Sequence, residues 1–304
     1  MVAVRNLAIA FSGHYLFQDV SFTIGCDEKI GLIGRNGTGK STFLKILMGQ
    51  IEPDSGEINI PKHHDIGFLQ QHIAFKHDSV IDEVASVLPA ERIYETWKGE
   101  KILMGLGFSE DDMLSSPDIF SGGYQIKIQL AKLLLQEPSL LLLDEPTNYL
   151  DIHSSNWLKK FLKKWPHALI LITHDRLFMD DIISHTVYIH RGNFRKTKGN
   201  TDNIYSQVAL EESIHENARL RQEKSRKTTQ AWIDKVKAKA SMASRAQSKI
   251  KQLAKESVLD KLADLDSLDF TFPYQAFNSR EYQLQVKNLS FGYDSTNLLI
   301  KDLS

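Results

Sequence analysis

The segment Gly34–Ser41 places the strongest constraint on the fold of this 304-residue chain, because it reads Gly-Arg-Asn-Gly-Thr-Gly-Lys-Ser. It fits the pattern G-x-x-x-x-G-K-[ST], follows the apolar run KIGLI and runs into the helix-like segment STFLKILMG. Glycines at this spacing let backbone N–H groups converge on phosphate oxygens at a helix N-terminus. The segment, called the phosphate loop below, predicts that Lys40 reaches β- and γ-phosphates and that Ser41 holds Mg²⁺.

Two acids follow a second apolar run in the chain. Asp144 and Glu145 come directly after LLLL at 140–143, which is typical of a strand buried on both faces. The carboxyl ends of parallel strands form the crevice in which such sheets bind ligands. We therefore expect Asp144 to hold Mg²⁺ through water and Glu145 to polarise an attacking water.

Strand and helix patterns alternate over residues 1–205. HALILIT at 167–173 is another buried strand, and apolar residues at 126, 130, 133 and 134 mark one face of a helix that ends before Pro138. This alternation predicts an α/β fold with a mainly parallel core sheet covered by helices. Ser121-Gly-Gly-Tyr-Gln opens the helix, and by itself that segment indicates no more than a helix cap.

The composition and the N-terminal sequence indicate the cellular location that we expect for the protein. No 18-residue apolar stretch exists, and the N-terminus lacks the plan of a signal peptide, so we expect no membrane span and no export. The single cysteine, Cys26, cannot form an internal disulfide, which favours a cytoplasmic location.

The net charge of −1 conceals an asymmetry. Residues 219–255, called the basic strip below, contain 12 Lys and Arg against two acids, a charge of +10, whereas the remainder carries −11. A solvated helix face mixes both signs, so this excess of basic residues indicates a polyanionic partner.

The residues around the basic strip, from about 210 to 265, contain no Gly or Pro and carry a narrow apolar seam that includes Trp232, Val236 and Ile250. They predict a helical hairpin with a bend near 237–244.

The start of the chain recurs near its end. LQVKNLSFGYDSTNLLIKDLS at 284–304 resembles AVRNLAIAFSGHYLFQDVS at 3–21, with Asn6, Asp19 and Ser21 matching Asn288, Asp302 and Ser304. Such a repeat predicts a second copy of the nucleotide domain. The predicted domains are residues 1–208 for the first nucleotide domain, 209–265 for the basic helical linker, and 266–304 for a connection and the truncated start of the second domain.

Taken together, these segments resemble the ABC-type ATPases. The phosphate loop corresponds to the family's Walker A motif and Leu140–Glu145 to Walker B. Ser121–Gln125 correspond to the family signature, called the signature segment below, and Asn148–Asp151 to the D-loop.

The resemblance implies a role for each matching residue. It assigns catalysis to Glu145, the switch histidine His174 and the Q-loop glutamine Gln71, and it places Ser41, Gln71 and Asp144 at Mg²⁺. The implied ATP-binding residues are Phe11, which stands where the family stacks an aromatic on adenine, with Gly34, Arg35, Asn36, Gly37, Thr38, Gly39, Lys40, Ser41 and Thr42. The signature segment, which comprises Ser121, Gly122, Gly123, Tyr124 and Gln125, would contact the ATP held by another cassette.

DEPTNYLD, THDRLFMD, GNTDNIYSQ and the charged linker resemble the ABC-F branch of soluble twin-cassette proteins. That branch implies a ribosomal partner, with rRNA or tRNA contacted through residues 210–260. The candidate nucleic-acid contacts are Lys235, Lys237, Lys239, Arg245, Lys249 and Lys251. Two alternatives stay open, the nucleotide-binding subunit of an ABC transporter and an ATPase that binds structured DNA.

The same resemblance implies that ATP lies between the Walker A motif of one cassette and the signature of another. These 304 residues contain one of each. We therefore expect weak hydrolysis unless a second ABC domain or a homodimer completes the site.

Overall fold

Parallel strands with almost wholly apolar sequences form the centre of the fold. A six-stranded sheet has the order β5-β6-β7-β3-β8-β9, and only its β8–β9 pair is antiparallel. A smaller antiparallel sheet has the order β2-β1-β4. In chain order the strands of these two sheets are β1 (Val2–Phe11), β2 (His14–Ile24), β3 (Lys29–Gly34), β4 (Ser55–Asn59), β5 (Ile66–Phe68), β6 (Leu140–Asp144), β7 (Ala168–Ile172), β8 (His185–His190) and β9 (Asn193–Lys198).

The structure, a computed structural model, describes residues 1–11, 13–62, 64–69, 74–236, 247–252, 285–292 and 299–304. They form two compact units, Met1–Arg221 and Gln222–Ser304. The helices of the described residues are α1 (Lys40–Leu47), α2 (Val80–Ala85), α3 (Thr96–Gly105), α4 (Glu110–Leu114), α5 (Gly122–Gln136), α6 (Ile152–Lys163), α7 (Arg176–Asp180) and α8 (Thr201–Val236), with residues 247–252 also helical. Short 3₁₀ turns cover Ala90–Glu95, Pro117–Ile119 and Pro146–Tyr149.

The LLLL run shows why the large sheet needs cover on both faces. All four leucines are fully buried, and they alternate between two hydrophobic clusters. Leu141 and Leu143 pack into the cluster that contains α5 and α6, whereas Leu140 and Leu142 face α1 and the small sheet. This alternation follows from the two-residue period of a strand. Together with the strand pairing, it confirms the predicted mainly parallel core sheet covered by helices.

A buried ion pair ties the helical subdomain together. The carboxylate of Glu83 in α2 is 1% exposed and accepts a hydrogen bond from Lys132 Nζ in α5. Its second oxygen accepts from the backbone N–H groups of Lys76 and His77, at 2.9 and 3.1 Å. Burial raises the pKa of Glu83, but the bonds from Lys132 and from the two N–H groups outweigh burial and leave the pKa below its ordinary value. One side chain therefore joins α2, α5 and the segment that precedes α2.

Helix α8 begins eight residues before the predicted linker. Thr201 is fully buried, and its backbone N–H and its hydroxyl each donate to the carboxylate of Asp180, at 2.9 Å. These bonds start the helix at residue 201, so the boundary expected between residues 208 and 209 falls within a continuous helix. The division between the two compact units also lies inside α8, after Arg221.

In the part of α8 that belongs to the second unit, Ile233 is buried, whereas Trp232 is 37% exposed. Ile250, in the helical residues 247–252, is 43% exposed. The predicted seam through Trp232 and Ile250 is therefore wrong for the residues that can be described. A narrow apolar pattern locates the buried face of a helix only to within one residue. Adjacent positions lie about 100° apart around the helix axis, so an error of one residue gives a different face. The predicted bend at 237–244 lies outside the described residues.

The recurrent segment near residue 290 forms a hairpin of β10 (Leu289–Phe291) and β11 (Ile300–Leu303). Asn288 N donates to Ser304 Oγ at 2.8 Å, and Ser304 Oγ donates to Asn288 Oδ1 at 3.1 Å. Asn6 and Ser21 make the same two bonds at the same distances. In both hairpins the Asn and the following Asp have positive φ, at 46° and 54° in one and 47° and 52° in the other. The repeated sequence thus repeats an unusual backbone geometry.

Replacing Glu83 should destabilise the first unit. Glu83→Ala leaves Lys132 and two N–H groups without their acceptor in a buried place, and we expect a loss of roughly 3 kcal/mol in the free energy of unfolding. Urea denaturation followed by circular dichroism measures it. The control is Arg5→Ala, which removes an exposed pair with Glu57 and should cost at most about 1 kcal/mol. Equal losses in the two variants would contradict a special role for the Glu83 contacts.

Candidate nucleotide-binding site

The phosphate loop connects the end of β3 to the start of α1, as its sequence predicts. Gly37 and Gly39 have φ of 81° and 96°, values that side chains with a Cβ rarely adopt. At Gly39 a Cβ would also lie 2.6 Å from Leu16 Cδ2. Glycine is therefore required at this position for both conformation and space. The turn directs backbone N–H groups of the first turn of α1 toward the site, which favours an anion there.

Lys40 folds back over the loop that precedes it. Its Nζ donates to the carbonyl oxygens of Gly34 and Arg35, at 2.9 and 3.1 Å. Burial lowers the pKa of Lys40, and the nearby carboxylates of Asp144 and Glu145 act in the opposite direction. An ammonium has three N–H donors, so one remains for a phosphate oxygen.

A hydroxyl and a carboxylate meet beside the loop. Ser41 Oγ, in the first turn of α1, donates to Asp144 Oδ2 at the end of β6, at 2.7 Å. Hard oxygen donors of this kind suit Mg²⁺, which usually keeps several waters and takes one or two carboxylates together with phosphate oxygens. Among the described residues, no group of three His, Cys, Asp or Glu side chains could hold a metal by itself. Ser41 and Asp144 could therefore hold Mg²⁺ in company with a nucleotide.

Glu145 and His174 stand together at the ends of adjacent strands. Glu145 has φ of 50°, and its N–H donates to Ile172 O at 2.8 Å. Its Oε2 accepts from the backbone N–H of His174 at 3.3 Å, and its Oε1 lies 3.5 Å from His174 Nε2. A left-handed conformation at a non-glycine residue is strained, and such strain clusters at functional sites. The carboxylate is thereby held where it could accept a proton from water.

One cavity of about 450 Å³ brings most of the predicted residues together. Phe11, at the end of β1, is 51% exposed at this cavity and offers a free ring face for stacking. The cavity is lined by Phe11, Leu16, Asn36, Gly37, Gly39, Lys40, Ser41, Thr42, Asp144, Glu145, Ile172 and His174. Of the other predicted loop residues, Arg35 and Thr38 bond to each other, with Thr38 Oγ1 donating to Arg35 O at 2.8 Å.

The signature segment does not line this cavity. Ser121 precedes the first turn of α5 without a side-chain cap bond, and a Cβ at Gly122 or Gly123 would meet nothing within 4 Å. Neither glycine has positive φ, so neither the backbone nor the packing of this chain requires glycine there. The turn presents open backbone N–H groups to whatever approaches it.

Several predicted residues cannot be placed. Gln71 lies outside the described residues, as do Lys237, Lys239 and Arg245. Lys235 in α8 is exposed, and so are Lys249 and Lys251 in the helical residues 247–252.

Sequence reasoning missed the side chain that joins the signature helix to α6. Lys127 is 4% exposed, and its Nζ donates to Leu106 O at 3.0 Å, Asp151 Oδ2 at 2.8 Å and Ser154 Oγ at 3.2 Å. The same ammonium lies 4.7 Å from the ring centroid of Tyr124. A signal was present, because Lys127 shares a helical face with residues 130 and 134, which are apolar.

Comparison with known proteins agrees with this geometry. A family model described as ABC transporter matches residues 17–148, and a second model with the same description matches residues 187–272. The matches include the phosphate loop, the signature segment, the Walker B acids and all of α8. The chain belongs to the family of ABC transporter ATP-binding domains. ATP hydrolysis is the activity of that family.

This ABC protein is also similar to ABC-F members over nearly all of its own residues. It is 30% identical to ABC transporter F family member 5 of Arabidopsis thaliana, over 99% of this chain and 50% of that protein. It is 29% identical to Protein GCN20 of Saccharomyces cerevisiae, over 96% of this chain and 46% of that protein. The ABC chain thus spans about half the length of these relatives.

Solved ABC structures share the fold. The ATP-binding subunit of an ABC transporter superposes with a TM-score of 0.59 and 24% identity, over 69% of this chain and 94% of that one. A dimeric ATP-binding cassette in a post-hydrolysis state, bound to ADP and Pi, superposes with a TM-score of 0.55 and 22% identity, over 65% and 98%. Within the described residues of the ABC chain, no helix has the length and apolar character needed to cross a membrane.

The Lys127–Asp151 contact should make stability depend on pH. The hydrogen bond from Lys127, with those from Ser154, holds the pKa of Asp151 well below its ordinary value of 3.8. The folded state therefore binds a proton there less readily than the unfolded chain, so the stabilisation is complete above about pH 5 and declines as pH falls through 4. Asp151→Asn should cost about 1–2 kcal/mol at pH 7, because the carboxylate is half-exposed and partly screened.

Urea denaturation of the native chain and of Asp151→Asn between pH 3 and pH 7 checks this expectation. The difference between the two should shrink toward pH 3, and it should shrink at every pH in a Lys127→Met background. A difference that stays constant down to pH 3 would show that Asp151 is not held by Lys127.

Proposed function

We propose that this chain binds ATP with Mg²⁺ and hydrolyses it in a site that a second cassette completes. The observation that carries the proposal is that the phosphate loop, the Ser41–Asp144 pair and the Glu145–His174 pair line one cavity together. In it Lys40 would neutralise the β- and γ-phosphates, and Ser41 with Asp144 would hold Mg²⁺. Glu145 would take a proton from the attacking water, and His174 would meet the γ-phosphate.

The need for a second cassette is argued from the signature segment. The glycines of that segment border open space and lie outside the nucleotide cavity, so no group in the part of the chain that the structure describes packs against them. An anion would bind well at the N-terminus of α5, which is a 15-residue helix. The solved relative with ADP and Pi is a dimer. We propose that the signature of a second ABC domain, or of a second copy of this chain, closes over the phosphates.

For the basic strip, we propose a ribosomal RNA partner. Three observations support it: the +10 charge of residues 219–255, the exposure of Lys235, Lys249 and Lys251, and the similarity to ABC-F relatives over nearly the whole chain. The strip has Trp232 as its one aromatic residue, so recognition would rest on phosphates and helix shape. In this reading the protein works in the cytoplasm, where ribosomes are found.

A transporter subunit is the second candidate, favoured by the similarity to a solved ATP-binding subunit of an ABC transporter. It accounts for the nucleotide cavity, but it gives the basic strip no partner. An ATPase that binds structured DNA would use the strip in the same way as RNA, and the experiment below separates the two nucleic acids.

Removing charge from the strip should weaken ribosome binding and its salt dependence together. The strip variant changes Lys235, Lys239, Lys249 and Lys251 to Gln. Because four phosphate contacts are lost, we expect at least about a tenfold loss of affinity at physiological salt and a log–log salt slope shallower by about 3. Cosedimentation with purified ribosomes at several KCl concentrations measures both quantities.

The matched control changes four exposed lysines of the first unit to Gln, namely Lys62, Lys101, Lys164 and Lys198. Its salt slope should stay close to the native one. An unchanged slope in the strip variant would contradict the ribosomal role of the strip. Displacement of the chain from ribosomes by equimolar structured DNA would support the DNA-binding alternative instead.

A further inference from the structure

Helix α7 follows the switch histidine directly and packs tightly against the sheet. Asp175, between His174 and α7, accepts from Phe178 N at 2.9 Å, and its own N–H donates to Thr173 Oγ1 at 3.1 Å. Phe178 and Met179 are buried. A Cβ at Gly31 in β3 would lie 2.7 Å from Met179 Sδ, so α7 and the sheet are in close contact. A displacement of His174 would therefore move α7 as a body rather than be absorbed in a loose loop.

Both ends of α7 hold the base of α8. At the C-terminal end, the Asp180 carboxylate accepts from both the backbone N–H and the hydroxyl of the buried Thr201. At the N-terminal end, the guanidinium carbon of Arg176 lies 4.6 Å from the ring centroid of Tyr205, one helical turn further along α8. Arg176 and Asp180 belong to the segment THDRLFMD, and Thr201 and Tyr205 belong to GNTDNIYSQ. The proposed catalytic site does not use these four side chains.

A second cavity, of about 160 Å³, runs between the catalytic groups and this joint. Lys40, Glu145 and His174 lie on its wall together with Arg176, Thr201 and Tyr205. No layer of the core separates the catalytic side chains from the start of α8. A change in the position of His174 or of Glu145 thus reaches the joint across one cavity.

Other contacts hold α8 without involving α7. Arg195 in β9 pairs with Glu211, and Glu212 Oε1 lies 2.9 Å from His190 Nε2 and accepts from Arg191 at 3.3 Å. These partners come from the antiparallel edge of the large sheet, away from the switch. They provide a fixed support about which the base of α8 can turn.

We propose that Arg176 and Asp180 are positioning residues that transmit the nucleotide state of the switch histidine to α8, and through it to the basic strip. The inference rests on the proposed function in that ATP is the ligand of the phosphate loop. Binding of the γ-phosphate would draw His174 toward the cavity, move α7 and change the direction of α8. The contacts of β8 and β9 with α8 would stay as they are.

Distances between two spin labels can test this in the whole chain. The exposed Cys26 is the one natural cysteine and takes the first label, and Leu220→Cys, at a half-exposed position of α8, takes the second. Double electron–electron resonance is recorded with Mg²⁺ and ADP, and again with Mg²⁺ and the slowly hydrolysed analogue AMPPNP. We expect AMPPNP to shift the main distance by at least about 2 Å, as for other shifts of packed helices.

Arg176→Ala and Asp180→Ala should each remove the AMPPNP-dependent shift, and Arg176→Lys should restore part of it because the cation is kept. Arg195→Ala is the matched control, since it removes an ion pair to α8 that does not involve α7, and it should keep the shift. Thermal melting by circular dichroism verifies that each variant is folded, and calorimetric titration with AMPPNP should give affinities within about twofold of the native value.

The outcomes separate the two proposals. A full shift in folded Arg176→Ala and Asp180→Ala overturns the inference, and so does an absent shift in the native chain when calorimetry shows that AMPPNP binds. Failure of AMPPNP to bind the native chain overturns the proposed function itself, and the inference with it. Loss of the shift in Arg195→Ala as well would show that any loosening of α8 abolishes the response, which also overturns a specific role for α7.

Discussion

The parallel register of β6, β7 and β3 is the constraint on which the rest of the structure depends. Asp144 pairs with Ile172, and Gly31 of β3 pairs with Leu171 of β7, so three carboxyl-terminal strand ends lie along one edge of the sheet. Each strand then delivers one part of the site at that edge. The phosphate loop follows β3, the two acids end β6, and the switch histidine follows β7. A shift of one strand by one residue would exchange the side chains that face the two hydrophobic clusters and move its site residue to the wrong side.

The proposed site also depends on the orientation of α5, because the signature segment lies at the N-terminus of that helix. Two ammonium groups set that orientation, the buried one of Lys127 and the partly buried one of Lys132. Lys132 is held by Glu83, which also binds the backbone before α2, and Lys127 is held by Asp151 and by Leu106 O. Buried charges of this type lose much free energy when one partner is removed and little when both are replaced. Under the proposed function, their role is to fix one geometry for a turn that would contact the ATP of another cassette.

The sequence predicted the features that depend on neighbours along the chain. The phosphate loop, the LLLL strand and the helix after Ser121 all follow from local glycine placement or apolar periodicity, and the structure confirms them. The hairpin at 289–303 repeats the backbone of the first one because the same Asn, Asp and Ser recur. Long-range polar contacts could not be predicted, since nothing in the sequence says that Asp180 meets Thr201 or that Lys127 meets Asp151. Gln71 stays a prediction from the resemblance.

The central claim is that each ATP site takes its phosphate loop from one cassette and its signature from another. Mixing two inactive variants of the chain, Lys40→Ala and Gly123→Asp, tests it most directly. Each variant alone should have no turnover. An equimolar mixture should recover about one quarter of the native rate, because about half of randomly formed pairs are mixed and each mixed pair has one intact site. No recovery on mixing, or a native rate from either variant alone, would contradict the claim.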